Sequence, residues 1–226
     1  MRKTIQVALD GPGGAGKSTL ARAAAAACGL HYVDTGAMYR TVALGVVRSG
    51  VNVRDKAAVV AVLPSLSVTL DYDGDGKQHT LLNGEDVSGL IRTPEVTAAA
   101  SAVSALPEVR SFLLHAQQAM AEEWDVVMDG RDIGTVVLPD ADLKVFLTAS
   151  PEARAKRRWL ELKAKGMEQP YEQVLSEMNA RDAQDSTRAA APLRQAEDAV
   201  LLDTTELNEQ EAIGALRRLI RERTGR

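Results

Sequence analysis

The chain has 226 residues, 45% hydrophobic and 26% charged, with a formal net charge of −4 from 27 Lys+Arg against 31 Asp+Glu. That is ordinary globular usage, which argues against global disorder and against a whole-protein basic footprint for nucleic acid. A single cysteine, Cys28, leaves no partner for an intramolecular disulfide or a Cys-rich zinc site, and the apolar runs, such as Ala57–Leu63, are far too short for a bilayer. With no charged-then-apolar leader at its start, the sequence reads as a soluble, cytoplasmic protein without a membrane partner.

In chain order, Thr4–Asp10 is a short β-like run that ends in the glycine cluster Gly11–Gly16. An alanine-dominated stretch, Leu20–Cys28, has strong helix propensity and a stop at Gly29. His31–Asp34 is a second strand candidate. Ser67–Tyr72 alternates, Asp73-Gly74-Asp75-Gly76 turns and His79–Asn83 alternates less cleanly, which predicts a small antiparallel hairpin. That hairpin is either a surface decoration or part of a substrate subdomain. Three further apolar runs, Asp125–Asp129, Leu143–Leu147 and Ala199–Asp203, are bounded by acids or turn residues, with helical material between them. Unalternated apolar strands separated by helices predict an α/β fold, a doubly wound parallel sheet of five strands covered on both faces. Leu207–Arg223 reads as an amphipathic closing helix.

The strongest signal is Gly11-Pro12-Gly13-Gly14-Ala15-Gly16-Lys17-Ser18, which satisfies G-x-x-x-x-G-K-[ST] at every specified position. The glycines let successive backbone N–H groups face phosphate oxygens at the positive end of the following helix. Lys17 is placed to reach the β- and γ-phosphates and Ser18 to coordinate Mg2+ directly; the ATP-binding set runs from Gly11 through Thr19. A strand before the loop and a helix after it supply the context that a glycine-rich turn would lack. No Asn-Lys-x-Asp base-reading motif accompanies it, which argues against a GTPase, and a helicase or motor would be larger. A small-metabolite kinase is the leading class.

An acceptor site needs cations, and arginines recur beside the predicted strand ends. Arg40 follows the second strand and Arg131-Asp132 the Asp125–Asp129 strand, at the carboxyl end where doubly wound sheets bind ligands. Arg181, Asp185 and Arg188 recur at spacings of four and three, one face of a helix if that segment is helical. Ser101 and Arg110 lie in a predicted helical stretch before the strand. Glu152–Lys165 carries six Lys or Arg residues and is either a solvated helix face or a phosphate clamp.

Five segments together resemble the bacterial cytidylate kinases, a family of P-loop nucleoside monophosphate kinases. They are Gly11–Ser18, Asp34-Thr35-Gly36-Ala37-Met38-Tyr39-Arg40, Asn83–Ser88, Asp129-Gly130-Arg131-Asp132-Ile133-Gly134-Thr135-Val136-Val137, and Arg181–Pro192. Adenylate-type kinases typically carry Asp-Gly-Phe/Tyr-Pro-Arg where this chain has Asp129–Asp132. The resemblance implies one kinase domain over 1–226, with a monophosphate-binding subdomain at about 36–105, its β insertion at about 66–90, and a mobile helical lid at about 152–170. It implies that Thr35, Arg110, Asp132 and Arg188 form the base pocket, that Ser101, Arg181 and Asp185 contact the sugar, and that Arg40 and Arg131 hold the acceptor phosphate, with Arg181 or Arg188 as a further candidate for that task. The family often has Ser where this chain has Thr35. The implied reaction is transfer of a phosphoryl group from ATP to CMP or dCMP.

Cytosine presents an N4 amino donor that a carboxylate such as Asp132 accepts, whereas uracil puts an acceptor there. The attacking phosphate oxygen is already anionic, so no general base is required; catalysis is positioning and charge neutralisation by Lys17, Arg131, Mg2+ and the lid arginines Arg157 and Arg158. Asp129 is either a turn acid or the group that orients a magnesium-bound water. The rivals are the same chemistry on UMP, AMP or a non-nucleotide acceptor, and a regulatory or nucleic-acid-dependent ATPase. A monomer is expected, since no heptad seam is visible.

Overall fold

A computed structural model describes residues 4–226. The chain forms two units, one comprising Thr4 and Val33–Trp124 and the other Ile5–Tyr32 and Asp125–Arg226.

The second unit carries the parallel sheet, except for one strand's last two residues, Val33 and Asp34. Its central strand β1 (Gln6–Asp10) leads into α1 (Lys17–Cys28), and β2 (His31–Asp34) follows. The sheet is completed by β6 (Val126–Gly130), β7 (Leu143–Thr148) and β8 (Val200–Asp203), in the order β2-β6-β1-β7-β8. β1 pairs in parallel with β6 on one side and β7 on the other, so the chain order reverses about β1. In open α/β sheets that switch point, at the carboxyl ends of the strands, is where ligands bind. The register sets Asp10 beside Gly130 there.

The low aromatic content fits this packing. Ala21, Ala24 and Ala25 of α1 are fully buried with Val7, Leu9, Val127, Val145 and Leu147 of the sheet and with Leu216 and Ile220 of the closing helix α8 (Glu209–Thr224). Short side chains let helix and sheet approach closely, so burial is obtained without large rings. α1 ends as its composition predicts, on Gly29 at φ 65° with its N–H on the Ala25 carbonyl. α8 opens with a reciprocal capping box between Asn208 and Glu211. Between them lie α6 (Pro151–Ala164) and α7 (Tyr171–Thr187), both over the segment read as basic and arginine-bearing.

The first unit is largely helical. α2 (Thr35–Arg48) is capped by Asp34, and α3 (Lys56–Val62) is followed by the hairpin strands β3 (Val68–Tyr72) and β4 (Gln78–Leu82) and a two-residue strand β5 (Glu85–Asp86). These three strands form a separate antiparallel sheet in the order β3-β4-β5. Asn83 and Gly84, both at positive φ, make the turn into β5. α4 (Pro94–Val103) and α5 (Pro107–Glu123) complete the unit around Met38, Val42, Val59, Ile91, Val103 and Leu113.

Two readings of the sequence are corrected in detail. Ser101 and Arg110 lie on two helices, because Pro107 cannot continue α4 and instead occupies the first turn of α5. Arg181 and Asp185 are on α7, but Arg188 is its C-cap in extended conformation (φ −61°, ψ 141°), so it does not continue their helical face. No described helix is long and apolar enough to cross a membrane.

Candidate active site

In the second unit the glycine-rich loop runs from the end of β1 into α1. Gly11, Gly14 and Gly16 all have positive φ, and a Cβ on Gly11 would collide with the Leu147 carbonyl oxygen of β7. The loop therefore accepts only glycine at its first position, and the bare backbone leaves N–H groups available at the start of α1. Lys17, 7% exposed, folds over the loop and donates from Nζ to the Pro12 carbonyl at 2.8 Å. Burial, and then the Arg131 guanidinium, hold its ammonium well below the ordinary lysine value, opposed by Asp129, Asp10 and Asp185. An anion arriving at the loop would remove that penalty.

Ser18 Oγ donates to Asp129 Oδ2 at 2.8 Å, and the Tyr32 hydroxyl donates to Asp129 Oδ1 at 3.3 Å. A hydroxyl hydrogen-bonded to a buried carboxylate at the foot of a phosphate loop is a hard-oxygen set of the kind Mg2+ takes. Sequence reasoning left Asp129 between a turn acid and a partner of the metal; the Ser18 bond ties it to the loop. Tyr32 was not foreseen, and no local motif could have announced it.

Beyond β6 the chain makes a single π-turn over Ile133–Val137, with Val137 N–H on the Asp132 carbonyl and Leu138 N–H on the Ile133 carbonyl. Such turns are rare and concentrate at functional positions. Arg131 donates from Nε to Asp185 Oδ2 at 2.9 Å and from Nη1 to the Gly130 carbonyl, and a Cβ on Gly13 would lie 3.7 Å from its Nη2. The arginine assigned to the acceptor phosphate thus borders the loop assigned to the donor. Asp132, 4% exposed, faces Arg188 Nη2 at 3.6 Å, and Arg188 Nη1 lies 3.9 Å from Asp185 Oδ1. Arg131, Asp132, Asp185 and Arg188 form one charge cluster, while Arg181 is exposed on α7.

Along the basic helix α6 the arginines have different surroundings. Arg154 is buried: Nη1 donates to the Gly13 carbonyl at 3.0 Å and to Asp182 Oδ2 at 2.6 Å, and Nε to the Ala149 carbonyl. Arg157 donates to the Thr204 carbonyl and hydroxyl. Arg158 pairs with Glu161 on the exposed face. Among the three, the arginine that touches the loop is Arg154.

In the first unit Asp34 has the largest role. Its carboxylate accepts from the Ala37 N–H at 2.8 Å as a helix cap, from Arg40 Nη2 at 3.0 Å and from Arg92 Nη2 at 2.9 Å. Arg40 is thereby held at the start of α2, where Thr35 is also buried. Arg92, which carries no motif of its own, joins Asp34 from 58 positions along the chain. Arg110 stacks over the Tyr39 ring at 5.4 Å and donates to the Ser104 carbonyl, and Ser101 lies half-buried on α4.

Comparison with known proteins shows the family. A cytidylate kinase family profile matches residues 7–222. A cytidylate kinase of Caldanaerobacter subterraneus subsp. tengcongensis is 48% identical over 221 residues, covering 98% of this chain and 96% of its own. One of Mycobacterium avium is 48% identical over 225 residues, covering 99% and 98%. A solved structure of an uncharacterized protein from Eubacterium ventriosum shares the fold, at TM-score 0.52 and 12% identity over 98% of this chain and 100% of its own. The glycine-rich loop, the Asp129–Val137 segment and the arginine cluster all fall inside the matched span, and this chain belongs to the cytidylate kinase family and is a nucleoside monophosphate kinase.

Proposed function

We propose that the chain transfers the γ-phosphoryl group of ATP to CMP or dCMP, giving ADP and CDP or dCDP. One observation carries the acceptor reading: a buried carboxylate, Asp132, stands at a strand end beside Arg131, Asp185 and Arg188, in the unit that holds the phosphate loop. A carboxylate accepts the N4 amino group of cytosine and opposes the O4 atom of uracil, so its burial makes the choice of base costly to get wrong.

In this reading the Gly11–Ser18 backbone and Lys17 bind the donor phosphates, with Thr19 in the first turn of α1. Ser18 is the direct protein ligand of Mg2+ and Asp129 orients a water of its shell; the ion supplies charge neutralisation across the transferred group. Arg131 and Arg40 hold the acceptor phosphate, whose oxygen attacks without a general base. Thr35, Arg110, Asp132 and Arg188 contact the base, and Ser101, Arg181 and Asp185 the sugar. Assigning residues of both units to one ligand rests on the family. Arg157 and Arg158 belong to a lid, about 152–170, that excludes water from the γ-phosphate, and Arg154 braces that segment on Gly13. The subdomain at about 36–105 is the monophosphate-binding part. In this reading the protein is a cytoplasmic monomer acting on small molecules.

The test is coupled ADP release with ATP and Mg2+, offering CMP, dCMP, UMP, AMP and no acceptor in parallel. Turnover strong with CMP and dCMP, weak with UMP and near background with AMP is expected. Equal turnover in every well, the empty one included, would identify an ATPase and end the acceptor assignments.

A further inference from the structure

Asp10 is a buried acid that the reaction as described does not use. It ends β1, one residue before the phosphate loop, and is 5% exposed. Its two carboxylate oxygens accept separate backbone bonds, Oδ1 from the Ile133 N–H and Oδ2 from the Gly134 N–H, both at 2.7 Å. These are the two peptide groups that follow Asp132. On the other side, the Asp132 carbonyl is held by the Val136 and Val137 N–H groups of the π-turn. The backbone of Asp132 is therefore clamped from both directions. Gly134 leaves little slack, since a Cβ there would lie 3.2 Å from Lys144 Cδ and 3.4 Å from Asp10 Oδ2.

A buried carboxylate is an expensive way to bond two N–H groups unless their placement matters. We propose that Asp10 is a positioning residue for substrate choice: it fixes the turn after β6 and so aims the Asp132 side chain that discriminates cytosine from uracil. This rests on the assignment of Asp132 to the base. Because Asp10 also precedes the loop, one strand end sets the geometry of both phosphate cradle and base reader.

The test is Asp10→Asn, which keeps the shape but turns an amide NH2 toward one of the two N–H donors. One bond is lost and the turn shifts. The ratio of kcat/KM for CMP over UMP should fall by about tenfold, through a higher KM for CMP, with kcat for CMP changed by less than about threefold. Added to Asp132→Ala, the same substitution should leave the remaining ratio unchanged. Should Asp10→Asn not fold, Gly134→Ala crowds the same turn against Lys144 and the Asp10 carboxylate and is expected to lower the ratio as well. An unchanged ratio in a folded Asp10→Asn enzyme, while Asp132→Ala abolishes it, overturns the positioning role and leaves Asp132 as reader. A kcat lowered equally for both acceptors would overturn it too, placing Asp10 in support of the phosphate loop alone. An Asp132→Ala enzyme that retains wild-type selectivity would instead remove the assignment on which the proposal stands.

Discussion

The protonation of Asp10 makes a quantitative prediction about stability. Burial pushes its carboxyl up from 3.8 to about 6; the Gly134 and Ile133 N–H bonds pull the other way, Asp132 adds to the rise and Lys17 opposes it. Because the folded value is raised, the stabilising contribution is complete below the unfolded value and is lost as pH rises through the folded one. At about 1.4 kcal/mol for each pH unit, the rise corresponds to about 3 kcal/mol, and about half of that falls between pH 5 and pH 8. Asp10→Asn cannot titrate. Its unfolding free energy, measured by urea denaturation, should therefore gain about 1.5 kcal/mol relative to wild type between pH 5 and pH 8. Subtracting one protein from the other cancels the many surface carboxylates. The coupling to Lys17 acts in the same direction, because losing the nearby carboxylate lowers the lysine further and makes its burial easier at high pH. A difference between the two proteins that is flat with pH, or that shrinks as pH rises, would refute the account of Asp10 as a charged group held against its solvation.

Other consequences follow from the same geometry. Gly11→Ala should lower stability by more than about 3 kcal/mol and abolish nucleotide binding, since its Cβ meets the Leu147 backbone and not a movable side chain; a melting temperature within two degrees of wild type would contradict this. Arg154→Met should cost about 3 kcal/mol in chemical denaturation, because it strips the Gly13 carbonyl and Asp182 of their shared donor. His79 bridges Asp86 and Asp73, its Nδ1 2.8 Å and its Nε2 3.2 Å from their carboxylates. Asp86, then Asp73, raise its imidazole value, so the clasp across β3-β4-β5 is intact below 6.5 and is lost as pH climbs through the raised value. An NMR titration should place His79 above 6.5 in wild type and return it toward that value in Asp86→Asn. A His79 midpoint at or below 6.5 in wild type would remove the clasp.

Much of the fold was legible because its signals are local. The five parallel strands are short apolar runs that end in acids or turn residues, and Thr93-Pro94, Leu106-Pro107, Ser150-Pro151 and Pro170 each open a helix. Gly29 stops α1 and Gly225 stops α8, both in the left-handed conformation. The two departures have the same local cause, backbone chemistry outranking side-chain spacing. Pro107 splits one apparent helix, and Arg188 sits where α7 stops, so a four-three spacing that looked helical ends one residue early. β5 was not foreseen as a strand, since two residues carry no period and only their pairing with Leu81 and Leu82 defines them.

The site was legible to the extent that its residues share a motif. Gly11–Ser18 and the Arg131-Asp132 pair proposed for the acceptor are each contiguous, so a linear reading finds them. What a linear reading lacks is the support, because each support is a long-range bond. Asp10 reaches Ile133 across 123 positions, Tyr32 reaches Asp129 across 97, and Arg154 reaches Gly13 across 141. Parallel pairing is what makes these bonds possible: the β1–β6 register lays Asp10 against Gly130, so whatever follows Gly130 must turn within reach of the acid that ends β1. An acid at the end of an apolar strand is common enough to be read as a mere boundary. At the switch point of this sheet the same boundary residue also becomes the anchor for a turn that begins with Asp132. The arginines of α6 illustrate the reverse. Sequence favours Arg157 and Arg158 over Arg154 for a phosphate, yet helical rotation sends Arg154 to Gly13, Arg157 to Thr204 and Arg158 to solvent beside Glu161. A basic run reports only that cations are present. Which of them can meet a phosphate depends on the face each occupies: Arg154 is buried with Ala155 and Leu162, whereas Arg158 is exposed.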